Sequence, residues 1–373
     1  MAPPCAGGAS RGPPAPAGTL LLVQTLDVLR QLSEAVGVAG MEDEVRDLVT
    51  EMARPLCDEV HVDVLGNVIC TRRGRRDEVL LLDAHMDEVG FLVAHVDDAG
   101  FLRLGALGGW DARILLSHAI TVRTRDGGTV RGVIGTAPPH VLKEEDRKRT
   151  PQLEDLFVDI GASSAAEVAE MGVRVGDQCV PSYGFERLSD DLVMGKAFDD
   201  RAGCTVAVRV LDELQGEDLD LSLAVSFSIG EEVGLRGART VAHQVSPTVA
   251  LALEGTTAVD IPGVGPLRRS CRFGGGPAIT IADPSLVADR RVVRLLEEVA
   301  ERGGITVQHK VPLYGGSTNA GVIHLAGAGV MCGVVSVPCR YIHTPLSMLR
   351  PSDLEGTITL VAGFTRSVGS LVG

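Results

Sequence analysis

Val79-Leu80-Leu81-Leu82-Asp83-Ala84-His85-Met86-Asp87-Glu88 is the stretch on which the reading of this chain turns. Four apolar residues in unbroken succession read as a strand buried on both faces, and such strands belong to sheets covered on both sides by helices. The change to polar residues at 83–88 predicts a loop at the end of that strand. Ligands collect at the carboxyl ends of strands in open α/β sheets, so this loop is a candidate site.

Upstream, apolar residues recur every three or four positions over 20–37 and 42–54, which predicts two helices separated by Gly37-Val38-Ala39-Gly40. Residues 60–64 and 67–71 flank Leu65-Gly66 as a hairpin does. Downstream, over 89–182, short alternating runs at 91–96, 101–104, 119–124, 130–134 and 156–160 are punctuated by glycine turns. They predict a small β-rich module, in which the charged run 143–149 reads as a solvated loop. After residue 188 helix and strand alternate again. Helices are expected at 200–214, 235–243, 285–301, 319–325 and 351–368, and strands at 221–229, 248–253, 278–281, 306–309 and 329–337. The fold class is α/β. One catalytic domain, residues 19–88 and 183–373, is interrupted by the β-rich insertion 89–182. Residues 1–18, mostly Ala, Gly and Pro, read as a disordered tail.

Composition narrows the partners. The 373 residues carry a net charge of -14, from 35 Lys and Arg against 49 Asp and Glu, which argues against nucleic acid. Aromatics at 3% leave little for stacking on bases or sugars, so small or polar ligands fit better. No apolar run reaches the ~18 residues of a membrane span. The eight cysteines form no CxxC pair and no regular framework, so they read as reduced thiols and the expected location is cytoplasmic.

Five polar clusters follow or adjoin apolar runs. They are Asp83-Ala84-His85-Met86-Asp87-Glu88, Lys196-Ala197-Phe198-Asp199-Asp200-Arg201, Gly230-Glu231-Glu232-Val233-Gly234, Leu253-Glu254-Gly255-Thr256 and Tyr341-Ile342-His343-Thr344-Pro345. Carboxylates crowded at one sheet edge repel one another unless a cation compensates them, and a metal is the simplest answer. Imidazole and carboxylate without thiolate suit Zn, Co or Mn, and the donors exceed what one ion needs. Two ions sharing a carboxylate would use them all. In His85-Met86-Asp87 the Asp can orient the ring of a ligating His. Of the adjacent Glu231 and Glu232, one can bind metal while the other holds a water, and a metal-bridging water beside a carboxylate base is an apparatus for amide hydrolysis. Each cluster alone has a plain structural reading; the spacing recurs at His61-Val62-Asp63 and His95-Val96-Asp97, which lie in or beside hairpin strands and read as surface pairs. His118, His140, His243, His309 and His324 have no acid at that spacing and are assigned to core or surface.

At these residues the chain resembles the dinuclear-metal aminopeptidases of the glutamyl and tetrahedral (TET) aminopeptidase type, in the zinc exopeptidase clan. The resemblance runs from about residue 26 to 371 and includes Gly108-Gly109-Trp110-Asp111, Pro138-Pro139-His140, Asp159-Ile160-Gly161-Ala162 and Gly315-Gly316 beside the clusters above. It implies a zinc-exopeptidase-like domain with a mixed central sheet. Two divalent ions are implied, Zn foremost and Co or Mn as alternatives, with His85 and Glu254 on one, Glu232 and His343 on the other, and Asp199 bridging. Asp87 would orient His85, and Glu231 would be the general base. The implied substrates are peptides with a free amino terminus. The insertion would serve dimerisation, and dimers of this kind often build tetrahedral twelve-subunit cages. Glu254 stands where members carry Asp or Glu, and Asn319 where many carry Asp.

The nearest rival is a related two-metal amidohydrolase, a deacylase or carboxypeptidase, which a blocked amino terminus would not deter. A metal-stabilised assembly protein without activity is the rival from another class, and it is countered by the full ligand set together with Glu231. A glycosidase reading lacks a two-carboxylate logic for the glycosidic bond.

Overall fold

The apolar run at 79–82 is the middle of a longer strand. The computed structural model describes residues 17–372 apart from 266, 267, 269, 270 and 314, and in it this strand covers Arg76–His85. Asp83, Ala84 and His85, expected in the loop, therefore belong to the strand. It runs parallel to Leu221–Ser228 on one side and Val249–Thr257 on the other. Val249–Thr257 in turn is parallel to Met331–Arg340. Antiparallel strands complete a mixed eleven-stranded sheet. Glu59–Val62 and Val68–Arg72 extend one end; Ser347–Leu349, Leu192–Gly195 and Glu186–Ser189 extend the other.

Pleating divides the central apolar residues between two layers. Leu80 and Leu82 pack with helices Ala17–Glu34, Phe198–Glu213, Arg290–Gly303 and Pro351–Ser367, whereas Leu81 packs with Arg236–Val245 and Ala320–Ile323. Helix Phe198–Glu213 is buried along most of its length because it lies between the sheet and the outer helices, which explains its run of Ala, Cys and Val.

The insertion closes into a six-stranded barrel in the order Gly90–Val96, Leu102–Leu107, Phe157–Asp159, Thr129–Gly135, Ala119–Arg123, Gln178–Pro181. Phe91, Val93, Leu102, Ile120, Val122 and Val158 fill its interior, and closure removes free strand edges. Side chains tie it to the larger domain: Gln178 accepts from Val38 N at 3.2 Å and donates to Met41 O at 3.4 Å, and Arg123 donates to Glu44 at 2.8 Å.

Some boundaries differ from the sequence reading. The helix expected at 285–301 begins at Arg290. Asp283 instead accepts from the backbone of Ser285 and Leu286, Ala282 bridges to Val287, and Asp289 caps the helix by accepting from Arg291 N. The charged run 143–149 contains one helical turn, Glu144–Arg147. Residues 1–16 of the expected tail, with Cys5, lie outside the described residues, while Ala17 and Gly18 open the first helix. The other seven cysteines are free thiols. No described helix is long and apolar enough to cross a membrane.

Candidate metal centre

The four parallel strands deliver their polar residues to one edge. His85 ends its strand, Glu231 and Glu232 follow Leu221–Ser228, Glu254 lies within Val249–Thr257, and His343 follows Met331–Arg340. Asp199 joins them from the start of helix Phe198–Glu213, where Asp199 and Asp200 depart from helical angles. Gly255 permits the approach, since a Cβ there would stand 2.9 Å from Phe198 O and 3.0 Å from the Asp199 Cα. His343 is held at φ 55°, a left-handed conformation uncommon outside glycine and typical of functional sites.

The side chains converge on a cleft of roughly 780 Å³. His85 Nε2 lies 3.4 Å from Asp199 Oδ1, 3.7 Å from Glu254 Oε2 and 3.9 Å from Glu231 Oε2. His343 Nε2 lies 3.2 Å from Glu232 Oε1 and 3.5 Å from the other oxygen of Asp199. Asp199 thus faces both imidazoles, one with each oxygen. On the far side of the His85 ring, Nδ1 is 3.0 Å from Asp87 O and 3.5 Å from Asp87 Oδ1. The Asp87 carboxylate also accepts from the backbone of Glu231 and of Glu232, each at 3.0 Å, so one acid fixes the turn carrying both glutamates.

Asp200 is a participant to which the sequence reading gave no role. It accepts from His85 N at 3.1 Å and Gly203 N at 2.9 Å, and it groups with His85 and Glu254 within metal-ligating distance. Its adjacency to Asp199 was the available signal. Beneath His85, the buried Asp83 accepts from Ser226, from Ser228 and, at 2.8 Å, from the amide of Asn319. The Asn319 amide thereby gives the buried Asp83 carboxylate a donor. His61 and His95 lie elsewhere; Asp63 accepts backbone N–H groups of its hairpin turn, and Asp97 does the same in its own.

The electrostatics are those of an overcrowded acid site. Burial pushes Glu231 up to about 8, opposed by His85 and reinforced by repulsion from Glu232 and Asp199. Burial likewise raises Glu254 and Asp200 well above the carboxylate range. At His343 burial is outweighed by hydrogen bonds to Asp199 and Glu232, which lift it to about 11. The neighbouring protein cations are engaged elsewhere: Lys196 Nζ lies 2.6 Å and Arg201 3.4 Å from Glu88. This donor set fits divalent ions. Acids that burial and repulsion would protonate are stabilised as anions by a dication, and imidazoles freed of protons become ligands.

A two-imidazole, multi-carboxylate cleft at the carboxyl edge of a mixed α/β sheet, with His85 buried and His343 partly exposed, suits a hydrolase of the peptidase class. Residues 66–360 match the M42 glutamyl aminopeptidase family, and the chain belongs to that family. A structure of an aminopeptidase from the archaeon Desulfurococcus kamchatkensis is similar at 40% identity and TM-score 0.89, covering 93% of this chain and 95% of that one. The TET1 peptidase of Pyrococcus horikoshii, described as assembling into a tetrahedron or a large octahedral shell, is similar at 30% identity and TM-score 0.82, covering 91% and 99%. The lysyl aminopeptidase of Pyrococcus furiosus is 31% identical over 90% of this chain and 94% of its own length. The fold and family expectations hold: the chain is a peptidase on a zinc-exopeptidase-like fold.

Proposed function

We propose that the chain is a metal-dependent aminopeptidase that removes the first residue of peptides, with two divalent ions and Glu231 as general base. The observation that carries this reading is the placement of the Asp199 carboxylate between His85 and His343, at 3.4 Å and 3.5 Å, with Glu254 beside one imidazole and Glu232 beside the other. His85, Asp199 and Glu254 would hold one ion; Asp199, Glu232 and His343 the second, with Zn, Co or Mn all compatible with the donors. Bound there, the ions supply Lewis acidity that polarises a carbonyl and acidifies water.

The chain's own residues do the rest. Glu231 lines the cleft with a carboxylate oxygen 3.9 Å from His85 Nε2, a position from which it can take a proton from the attacking water and return it to the leaving amine. Asp87 keeps His85 oriented and Glu231 in register through the Glu231 and Glu232 backbone. The clustered carboxylates favour a protonated substrate amine, which restricts cleavage to the first residue. The barrel is proposed to serve self-association, supported by exposed Val133, Val141 and Val175 on its surface and by the assemblies of the P. horikoshii relative. A cytoplasmic location fits the free thiols.

The test is hydrolysis of aminoacyl-p-nitroanilides and their N-acetyl forms by metal-depleted protein, before and after adding Zn, Co or Mn. Metal-restored cleavage of the free-amine set alone is expected. Cleavage of the acetylated set would move the assignment to a deacylase.

A further inference from the structure

Each of the two imidazoles in the cleft has a backbone carbonyl behind it, and the two carbonyls have different origins. His85 Nδ1 lies 3.0 Å from Asp87 O, two residues along its own chain. His343 Nδ1 lies 3.2 Å from Gly109 O, which belongs to the loop that follows the barrel strand Leu102–Leu107. A carbonyl only accepts, so in the neutral His343 ring the proton sits on Nδ1 and donates to Gly109 O, which leaves the bare Nε2 facing Glu232 and Asp199. One imidazole is thus oriented from within the catalytic domain and the other by the inserted barrel.

His343 depends on such a partner more than His85 does. Its side chain is 37% exposed against 1% for His85, so packing does less to fix the ring. The loop is shaped to reach it. Gly108, at φ 79°, sits where a Cβ would stand 2.5 Å from Val89 Cγ1 and 3.3 Å from Glu232 Oε2, and a Cβ on Gly109 would stand 3.4 Å from His343 Nδ1. The loop therefore lies against both Glu232 and His343, the pair that distinguishes the proposed second ion from the first. Trp110 secures it from the barrel side. Its Nε1 donates to Gly90 O at 3.1 Å, and its ring stacks on Phe91 of the barrel core with centroids 4.8 Å apart. The indole also lines a small recess with Asp199 and His343.

We propose that Trp110 is a positioning residue of the metal centre: by anchoring the Gly109 carbonyl against His343 it makes the inserted barrel a working part of the second ion's site. This rests on the two-ion reading above and goes beyond it, because it gives the barrel a part in metal retention that is separate from self-association. It also makes the two ions unequal. The His85 ion is held by catalytic-domain residues alone, whereas the His343 ion loosens when the barrel loop moves away, since a partner that orients a ligating imidazole contributes to metal affinity.

The experiment titrates Zn into metal-depleted wild type, Trp110→Ala and Trp110→Phe against a chromogenic chelator. Wild type is expected to take up two ions per chain. Trp110→Ala loses both the stack and the N–H donor and should bind one ion about 10- to 100-fold more weakly, with the other within about threefold. Trp110→Phe, which keeps the stack, should lie between. Hydrolysis of an aminoacyl-p-nitroanilide by Trp110→Ala should drop at limiting Zn and recover as Zn is raised, which a general loss of packing would not show. Equal weakening of both ions, or of neither, would overturn the proposal. A measurement on wild type alone removes dependence on the variants, because Trp110 is the only tryptophan of the chain. By reciprocal linkage an ion that depends on the loop also holds the loop, so acrylamide quenching of the Trp110 fluorescence should slow when the second Zn equivalent binds. An unchanged quenching rate with none, one and two ions bound would overturn the proposal while leaving the two-ion aminopeptidase reading intact. Uptake of fewer than two ions by wild type would remove both.

Discussion

Replacing Glu88 by Gln removes one charge from the centre of the chain's most buried ionic cluster. Glu88, Lys196 and Arg201 are 2%, 3% and 0% exposed. A single oxygen of Glu88 accepts from Lys196 Nζ at 2.6 Å, Gly37 N at 3.3 Å and Arg201 at 3.4 Å. The amide is isosteric, so packing is preserved while two buried cations face each other without an anion. Breaking a buried pair on one side costs about 3–5 kcal/mol. The lower end applies here, because Lys196 keeps the Ala35 carbonyl and Arg201 keeps those of Leu32 and Gly37. A loss of about 3 kcal/mol in urea unfolding followed by far-UV circular dichroism is therefore expected. Lys196→Met should cost less in the Glu88→Gln background than in wild type, with a coupling of about 2 kcal/mol. A Glu88→Gln loss below about 1 kcal/mol, or additive effects in the cycle, would refute the electrostatic account of this cluster.

Glu42 tests the same physics with opposite sign: burial lifts it to about 7 despite N–H donors at Gly40 and Gly230. With its folded value above the unfolded one, the folded state holds the proton longer, so stability falls as pH rises from 4.5 to about 7, by roughly 3 kcal/mol for this group. Glu42→Gln should match wild type near pH 4 and exceed it at pH 8 in urea midpoint; no pH dependence of the difference would count against it. Asp87→Asn, which turns one acceptor of the Glu231–Glu232 turn into a donor, should weaken Zn affinity about 10- to 100-fold in competition with a chromogenic chelator, and unchanged affinity would deny Asp87 its orienting role. Gly237→Ala would set a Cβ 2.2 Å from Asn67 Oδ1 and 2.5 Å from Ile229 N, so a loss of about 1–3 kcal/mol is expected in the same unfolding assay, and wild-type stability would contradict the packing described.

The central strand and the polar clusters at its edge were legible for related reasons. Leu80, Leu81 and Leu82 form an unbroken apolar run because both faces are covered, and the chemistry begins where that run stops. His85, Asp199, Glu231, Glu232, Glu254 and His343 come from five separated segments, and each follows a buried strand, lies in one or opens a buried helix; that pattern marked the five clusters, while the choice of residues within them came from the family resemblance. What escaped the sequence depends on distant pairing. Ser347–Leu349 is a strand because Cys339 and Val193 flank it across the sheet, which no periodicity over three residues conveys. Residues 285–289 have helical composition, but Asp283 captures the Ser285 and Leu286 N–H groups and holds the segment extended. Lys310 looks in sequence like any exposed lysine; its burial follows from the pairing of Gln308–His309 with Ala278–Ile279.

The proposed function turns on Glu231 moving the proton in a hydrolysis confined to the His85–Asp199–His343 site. Its most direct test is the turnover of a free-amine aminoacyl-p-nitroanilide by Glu231→Gln at saturating Zn, with bound metal counted in the same samples. The expected result is a kcat lower by about 10²- to 10⁴-fold with the metal content of wild type. Turnover within about threefold of wild type at that metal content would contradict it.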